Sequence, residues 1–466
     1  MKLLNATWFA LLIVPTLLLT GCDESEGPIR INPGPIAFTV EIADVQDETQ
    51  GAPFPVFKSG AFNTPVGASE ASPIAPGAAY EFSFAIGPNT TPGSGARLSL
   101  ATMFIQSNDL FYAFPPEGLT LFGDNGDPVS GDVTGQVFLY DAGTEVNEAP
   151  GEGANQAPRQ SGADTGTDEG GTIQRIQDGA QDAGGFTYPN VADVIQVTLT
   201  NDGTTGFTVR IENVSDGTVV GGQPIPLSPG AWAVHSTGIT FYAVGAEASE
   251  GIEAIAEDGN PAPYAEALGE ITGITVPLSP GAYVLHSDDV QVFEEGEAAS
   301  QGIEDIAEDG IPAALVAALS GADGVKTVAA FTQPDGSNSA GPIGPGGSYT
   351  FTVTAERGDR LSFATMYIQS NDYFYGFGES GLALFDGSDP TSGDVTNEVA
   401  LYDAGTEVDE EPGVGLNQII RSAPDVGPAE DGVIVRVARG NDGGDNDDYS
   451  YPAPDEIIRV TITPQQ

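Results

Sequence analysis

The chemistry available to this chain is mostly carboxylate chemistry, with 67 Asp and Glu against 14 Lys and Arg. One pair stands out by spacing: Asp141 and Glu145 flank Ala-Gly-Thr, and the same motif returns as Asp403 and Glu407. Acids so placed converge only if the chain turns between them, and Gly143 or Gly405 permits that turn. With a third carboxylate from another loop, the set would suit calcium, a hard cation that takes six to eight oxygens. Without a cation the same grouping costs self-repulsion. The alternative is that each Asp caps its own turn by accepting a nearby backbone N–H.

Other chemistry is sparse. His235 and His286 are the only histidines, and they occupy equivalent positions of an internal repeat, each at the end of an alternating strand pattern. That placement points to a structural role. There is no Gly-x-Ser-x-Gly elbow, phosphate loop or dinucleotide fingerprint. Some pair among 67 acids will always match a glycosidase separation, so carboxylate spacing carries no weight there. The run Asn441–Asp448 lacks the spacing and terminal Glu of an EF-hand and reads as a solvated acidic loop. The chain is expected not to be an enzyme, with a carbohydrate-active hydrolase as the minor alternative.

The single cysteine, Cys22, follows an apolar stretch from Leu3 to Leu19 and the small residues Thr20 and Gly21. This is the pattern of a lipoprotein signal over residues 1–21, with Cys22 acylated and an acidic tether at 22–35. The mature chain is then exported, held to a bacterial envelope membrane by lipid, and left without a thiol for disulfide or zinc. Nothing later in the sequence has the roughly 18 apolar residues of a spanning helix. A formal net charge of −53 excludes nucleic acid as a partner, because phosphate binding needs clustered Lys and Arg.

The elements that would position these residues come in two copies. Ser99–Phe114 returns as Ser362–Phe377, Ser130–Thr134 as Ser392–Thr396, and Leu139–Val146 as Leu401–Val408. A shorter block, Pro226–Leu268, returns at Pro277–Leu319. Alternating apolar runs such as Tyr80, Phe82, Phe84 and Ile195, Val197, Leu199 predict strands with one buried face. The 62 Gly and 35 Pro fall between those runs and so mark turns rather than disorder. Isoleucines three apart after Ser249 and Ser300 predict one short helix in each block, ending at Gly259 and Gly310. The expected architecture is all-β: two antiparallel β-sandwiches at 36–201 and 206–464, with the tandem block (226–319) and its helices on loops of the second.

At Ser107-Asn108-Asp109 followed by Leu139–Glu145, and again at Ser370-Asn371-Asp372 followed by Leu401–Glu407, the chain resembles the spondin N-terminal domain. The resemblance implies a C2-like sandwich with about one calcium ion per domain at one end. Carried over, its ligands are Asp109, Asp141 and Glu145 in the first copy and Asp372, Asp403 and Glu407 in the second. Glu145 and Glu407 stand where the family pattern has Asp. The functional expectation is a calcium-supported adhesion or ligand-binding module for an extracellular or periplasmic protein or glycan. A structural envelope component with purely structural calcium is the alternative. Phe111, Tyr112, Phe374 and Tyr375 are candidates for an exposed aromatic surface, with core packing as the competing role.

Overall fold

The computed structural model describes residues 34–46, 56–86, 95–203, 205–437, 449 and 451–465. The signal segment, Cys22, most of the tether and the acidic run Asn441–Asp448 lie outside the described residues. The main strands are β1 (Ile36–Asp44), β2 (Val56–Phe62), β3 (Ala79–Ala85), β4 (Arg97–Phe104), β5 (Leu110–Ala113) and β6 (Phe138–Asp141). Next come β7 (Gln174–Ile176), β8 (Ile195–Asn201), β9 (Gly206–Asn213), β10 (Leu227–His235), β11 (Leu278–His286) and β12 (Val325–Phe331). The chain closes with β13 (Ser348–Ala355), β14 (Arg360–Tyr367), β15 (Tyr373–Phe377), β16 (Val399–Asp403), β17 (Val435–Arg436) and β18 (Ile458–Pro464).

Each sandwich pairs a smaller sheet with a larger one, and every pairing between these strands is antiparallel. The first combines β3-β9-β8, edged by Gly131–Asp132, with β2-β10-β4-β5-β6-β7. The second combines β13-β1-β18, edged by Gly393–Asp394, with β12-β11-β14-β15-β16-β17. Alternation sets the inward faces: in β8 Ile195, Val197 and Leu199 are buried while the residues between them are partly exposed. The expected all-β sandwich class is the observed one.

The strand pairings redraw the domain boundaries. Ile36–Asp44 is expected in the first domain, but β1 pairs along its length with β13 and β18 of the second sandwich. Its inward residues Phe38, Val40 and Ile42 belong to the second core. The matching strand of the first sandwich is β9, lying between β3 and β8. The tandem block is likewise divided rather than confined to the second domain. Its first copy contributes β10, which inserts between β2 and β4 of the first sandwich. Its second copy contributes β11, between β12 and β14, with the register shift repeated between Leu278 and Gly281 as between Leu227 and Gly230. The first sandwich is thus a permuted unit, from β2 to the end of the first block, carried between β1 and β11 of the second.

The helices follow the block. Helices α1 (Glu250–Asp258) and α2 (Ala262–Gly269) lie on the first sandwich, and α3 (Gln301–Asp309) and α4 (Ala313–Leu319) on the second. Ser249 and Ser300 accept the N–H of Ile252 and Ile303, and Gly259 and Gly310 close α1 and α3 in the left-handed region. Small residues on the outer sheet face (Ala101, Ala113, Ala231, Ala233) let Ile252 and Ile255 approach and form a second apolar layer. The helices therefore cover the outer face of the larger sheet in both sandwiches, correcting their expected place on loops of the second alone. No helix among the described residues is long and apolar enough to cross a membrane.

Full burial of a Val, Ile or Phe side chain is worth about 1.5–3 kcal/mol, against a whole-domain stability of about 5–15 kcal/mol. A charge introduced into β1 should therefore unfold the sandwich that holds it. In Val40→Asp, hydrogen exchange is expected to speed up across β13 and β18 while β8 and β9 keep their protection. Loss of protection in β8 and β9 instead would put β1 back in the first sandwich.

Candidate metal centres

The two motifs meet because the sheet register puts them at one edge of neighbouring strands. Leu110 pairs with Asp141, and Tyr373 with Asp403, so Asp109 and Asp372 come just before a strand whose partner ends in the second Asp. The serine of each Ser-Asn-Asp makes the turn: Ser107 Oγ donates to Phe104 O and accepts Leu110 N–H, and Ser370 does the same with Tyr367 and Tyr373. The asparagine bridges onward, with Asn108 Oδ1 accepting Glu148 N–H and Asn371 Oδ1 accepting Glu410 N–H.

Asp109 and Asp372 are fully buried, and their two oxygens are treated very differently. Asp109 Oδ2 accepts Thr144 N–H at 2.8 Å, Thr144 Oγ1 at 3.3 Å and Glu145 N–H at 3.1 Å. Asp372 Oδ2 accepts the equivalent three from Thr406 and Glu407 at 2.6, 2.9 and 3.0 Å. The other oxygen, Oδ1, is buried in both without a hydrogen-bond partner. An orphaned carboxylate oxygen is costly in a low-dielectric interior. A cation is the partner that would suit it.

Asp141 and Asp403 do cap their own turns: Asp141 Oδ1 accepts Gly143 N–H at 2.9 Å and Asp403 Oδ1 accepts Gly405 N–H at 2.7 Å. Turn capping and metal ligation are alternatives in the sequence, yet the geometry has room for both, because the same carboxylates also face Asp109 and Asp372. Gly143 and Gly405 hold φ of 70° and 67°, and a Cβ there would lie 2.6 Å from the backbone of Thr172 or Val433. Glycine is required at both positions.

The third carboxylate is not the one expected. Glu145 Oε2 accepts Asn108 Nδ2 at 3.2 Å and Oε1 accepts Gly166 N–H at 2.5 Å, which gathers it with Asp164 and Glu257 instead. Glu407 accepts Asn371 Nδ2 in the same manner. What joins Asp109 and Asp141 is Glu169, with ligand oxygens of the three within 4.8 Å of one another. In the second sandwich Asp409 joins Asp372 and Asp403. Glu169 is delivered by a backbone ladder between its loop and the glycine turn: Glu169 N–H to Thr144 O, and Gly171 N–H to Gly143 O. Glu430 and Gly432 repeat that ladder on Thr406 and Gly405. The motif glutamate is turned away because its own backbone N–H is committed to the buried Asp.

The remaining sequence candidates fall elsewhere. Phe111, Tyr112, Phe374 and Tyr375 are all fully buried, so the exposed aromatic surface is not there. His235 and His286 end β10 and β11 and are buried. Their Nδ1 donates to the carbonyl of Ser236 or Ser287, which leaves Nε2 to accept from Ser99 or Ser362. With the second nitrogen on a backbone carbonyl rather than a carboxylate, each pair joins strands and lacks the third member of a triad.

Burial pushes the Asp109 carboxyl up to about 8, helped by the charge of Asp141, and burial pushes Asp372 up to about 6. Asp141, Glu145 and Glu169 are also raised, in each case chiefly by burial.

These features define an antiparallel sandwich with a helix pair on its larger sheet and a buried carboxylate group at one end. Residues 279–410, within the second sandwich, match the Spondin_N family. The match takes in Asp372, Asp403, Glu407 and Asp409. No curated protein matches the chain.

A carboxylate whose folded pKa exceeds its unfolded value of about 4 holds a proton in the folded state that it loses on unfolding. Folding therefore takes up protons between about pH 4 and pH 8. In chelator the melting temperature is expected to fall as pH rises through that window, and Asp109→Asn should flatten the slope. A slope unchanged by the substitution would show that Asp109 is not the group responsible.

Proposed function

We propose that the protein is a cell-envelope lipoprotein displaying two calcium-supported spondin-type sandwiches as an adhesion or ligand-binding module. The reading rests on one observation above the others: in both sandwiches a fully buried Asp keeps one oxygen unpartnered beside two further carboxylates. Asp109, Asp141 and Glu169 would hold one ion, and Asp372, Asp403 and Asp409 the other. Calcium fits an all-oxygen set better than zinc, which favours nitrogen and sulfur. Glu145 and Glu407 serve as loop staples in this scheme, through Asn108, Gly166 and Asn371. The pattern ending in Cys22 supports export and lipid anchoring.

Each ion would fix the Ser-Asn-Asp turn, the glycine turn and the long loop after it to one another. Those loops then form a rigid surface at one end of each sandwich, which is where a scaffold of strands presents binding residues. The metal contributes charge neutralisation and loop fixation, with no bond-breaking step.

Calorimetric titration of residues 23–466 with calcium should resolve one site per sandwich. Asp109→Asn should remove one and Asp372→Asn the other. Glu169→Gln should weaken the first site by about tenfold or more, since ligand charge sets calcium affinity, while Glu145→Gln leaves it nearly unchanged. At pH 7 the first site should release close to one proton on binding, because Asp109 must deprotonate, and the second far less. Silent calcium injections with the fold intact would reject the reading.

A further inference from the structure

The two aspartates are buried, but the first site is not closed on every side. A cavity of about 490 Å³ opens beside it, along β7 and the loop after that strand. Asp141 and Glu169 form part of its wall, so the carboxylate group sits at the boundary between the sandwich interior and an accessible hollow. Exposed carboxylates commonly cluster without an ion, but this group includes the fully buried Asp109, whose Oδ1 has no hydrogen-bond partner.

Counting donors shows why such an ion would keep positions free. Asp109 Oδ2 is occupied by three hydrogen bonds, leaving Oδ1 as its ligand atom. Asp141 Oδ1 accepts Gly143 N–H and Oδ2 accepts Asn147 Nδ2, so this carboxylate too is partly committed. Three such carboxylates supply about three or four of the six to eight oxygens calcium takes. The rest must come from water or from a molecule in the cavity.

The lining says what kind of molecule. Asp141, Glu169 and Asp182 already make the wall acidic, with Arg175 the one cation among its described residues. With Asp109 of the same group counted, the site stays one charge negative even with a divalent ion present, so an anionic ligand would meet repulsion there, and the chain's charge of −53 adds to it. The rest of the wall is uncharged, with the hydrogen-bonding side chains Thr172, Gln174, Gln177 and Gln181 set among the apolar Ile176, Ala180 and Ala183. Two of the amides are already oriented. Gln174 Nε2 donates to Thr172 Oγ1 at 2.8 Å and Gln181 Nε2 to Gly185 O at 2.9 Å, so each can offer its carbonyl oxygen and second N–H to hydroxyl groups.

We propose that the cavity beside Asp109, Asp141 and Glu169 binds a neutral glycan, two vicinal hydroxyls of which complete the coordination of the calcium ion while the glutamine amides hold the neighbouring hydroxyls. This rests on the calcium reading above. It assigns the first sandwich a ligand-recruiting ion rather than a purely structural one.

The test is a titration of residues 23–466 with methyl α-mannopyranoside and methyl β-galactopyranoside, followed by proton NMR line broadening and calorimetry, with polygalacturonate as the acidic comparison. Calcium binding is measured separately on the same sample. In saturating calcium at least one neutral glycoside should bind, and chelator should abolish that binding. Gln177→Ala,Gln181→Ala should weaken it about tenfold or more with calcium affinity kept, and Asp372→Asn should leave it unchanged. Calcium binding without binding of either neutral glycoside overturns this proposal and leaves the calcium reading standing. Polygalacturonate binding in their place also overturns it, as does glycoside binding that survives chelator. Absence of calcium binding removes both.

Discussion

A carboxylate that accepts three hydrogen bonds through one oxygen and none through the other ties together the motif loops of each sandwich. Asp109 and Asp372 reach across from the Ser-Asn-Asp turn to the backbone of the Ala-Gly-Thr turn, and that reach constrains every loop around them. It sets the direction of the Thr144–Glu145 and Thr406–Glu407 backbone, which sends the motif glutamates outward to Asn108 and Asn371. It also leaves the glycine carbonyls free to receive Gly171 and Gly432, which carry Glu169 and Glu430 back toward the buried pair. The orphaned oxygen is the remainder of this arrangement. A hydrogen bond there would need a donor, and the nearby donors Thr144, Thr406 and Asn147 are already spent on other carboxylate oxygens.

The same economy of parts governs the sandwiches themselves. The larger sheet without its β10 or β11 would leave β4 or β14 with an unpaired edge and a bared apolar face. The earlier run of motifs has no such strand before it, and the additional copy of the tandem block supplies one from the far side. Each sandwich therefore obtains that strand and a helix pair from one block, and the Ala-rich outer face of the sheet is covered in both. Lys58 of β2 and Glu411, a residue of the second sandwich's long loop, form an ion pair between the two sandwiches. Both side chains are about one-third exposed, so the pair adds little to stability on its own.

Much of this is legible in the sequence, and the failures have definite causes. Alternation locates the strands, the repeats reveal two equivalent units, and serine and glycine mark the ends of α1 and α3. What alternation cannot decide is which sandwich takes a strand. Ala37-Phe38-Thr39-Val40 and Gly206-Phe207-Thr208-Val209 have the same pattern, so β1 and β9 are interchangeable by sequence, and only the paired partners distinguish them. At the site, Asp109 with Asp141 and Asp372 with Asp403 can be found because short motifs place them at strand ends. Glu145 and Glu407 mislead because spacing along the chain says nothing about which way a side chain leaves a turn whose N–H is already bound. Glu169 lies well beyond its motif in a loop of many acids. Its signal is the shared Glu-x-Gly at Glu169–Gly171 and Glu430–Gly432. The aromatics after Asp109 and Asp372 are ambiguous because the larger sheet is covered on both faces, which buries consecutive residues rather than alternate ones.

A cation set against the unpartnered oxygens of Asp109 and Asp372 is the partner on which the proposed function stands or falls. Anomalous diffraction from crystals of residues 23–466 soaked with a calcium-mimicking lanthanide addresses it directly. A peak is expected about 2.3–2.6 Å from Oδ1 of each aspartate, with Asp141 and Glu169 closing on the first and Asp403 and Asp409 on the second. Peaks confined to exposed acidic loops, with both Oδ1 atoms still bare, would contradict it.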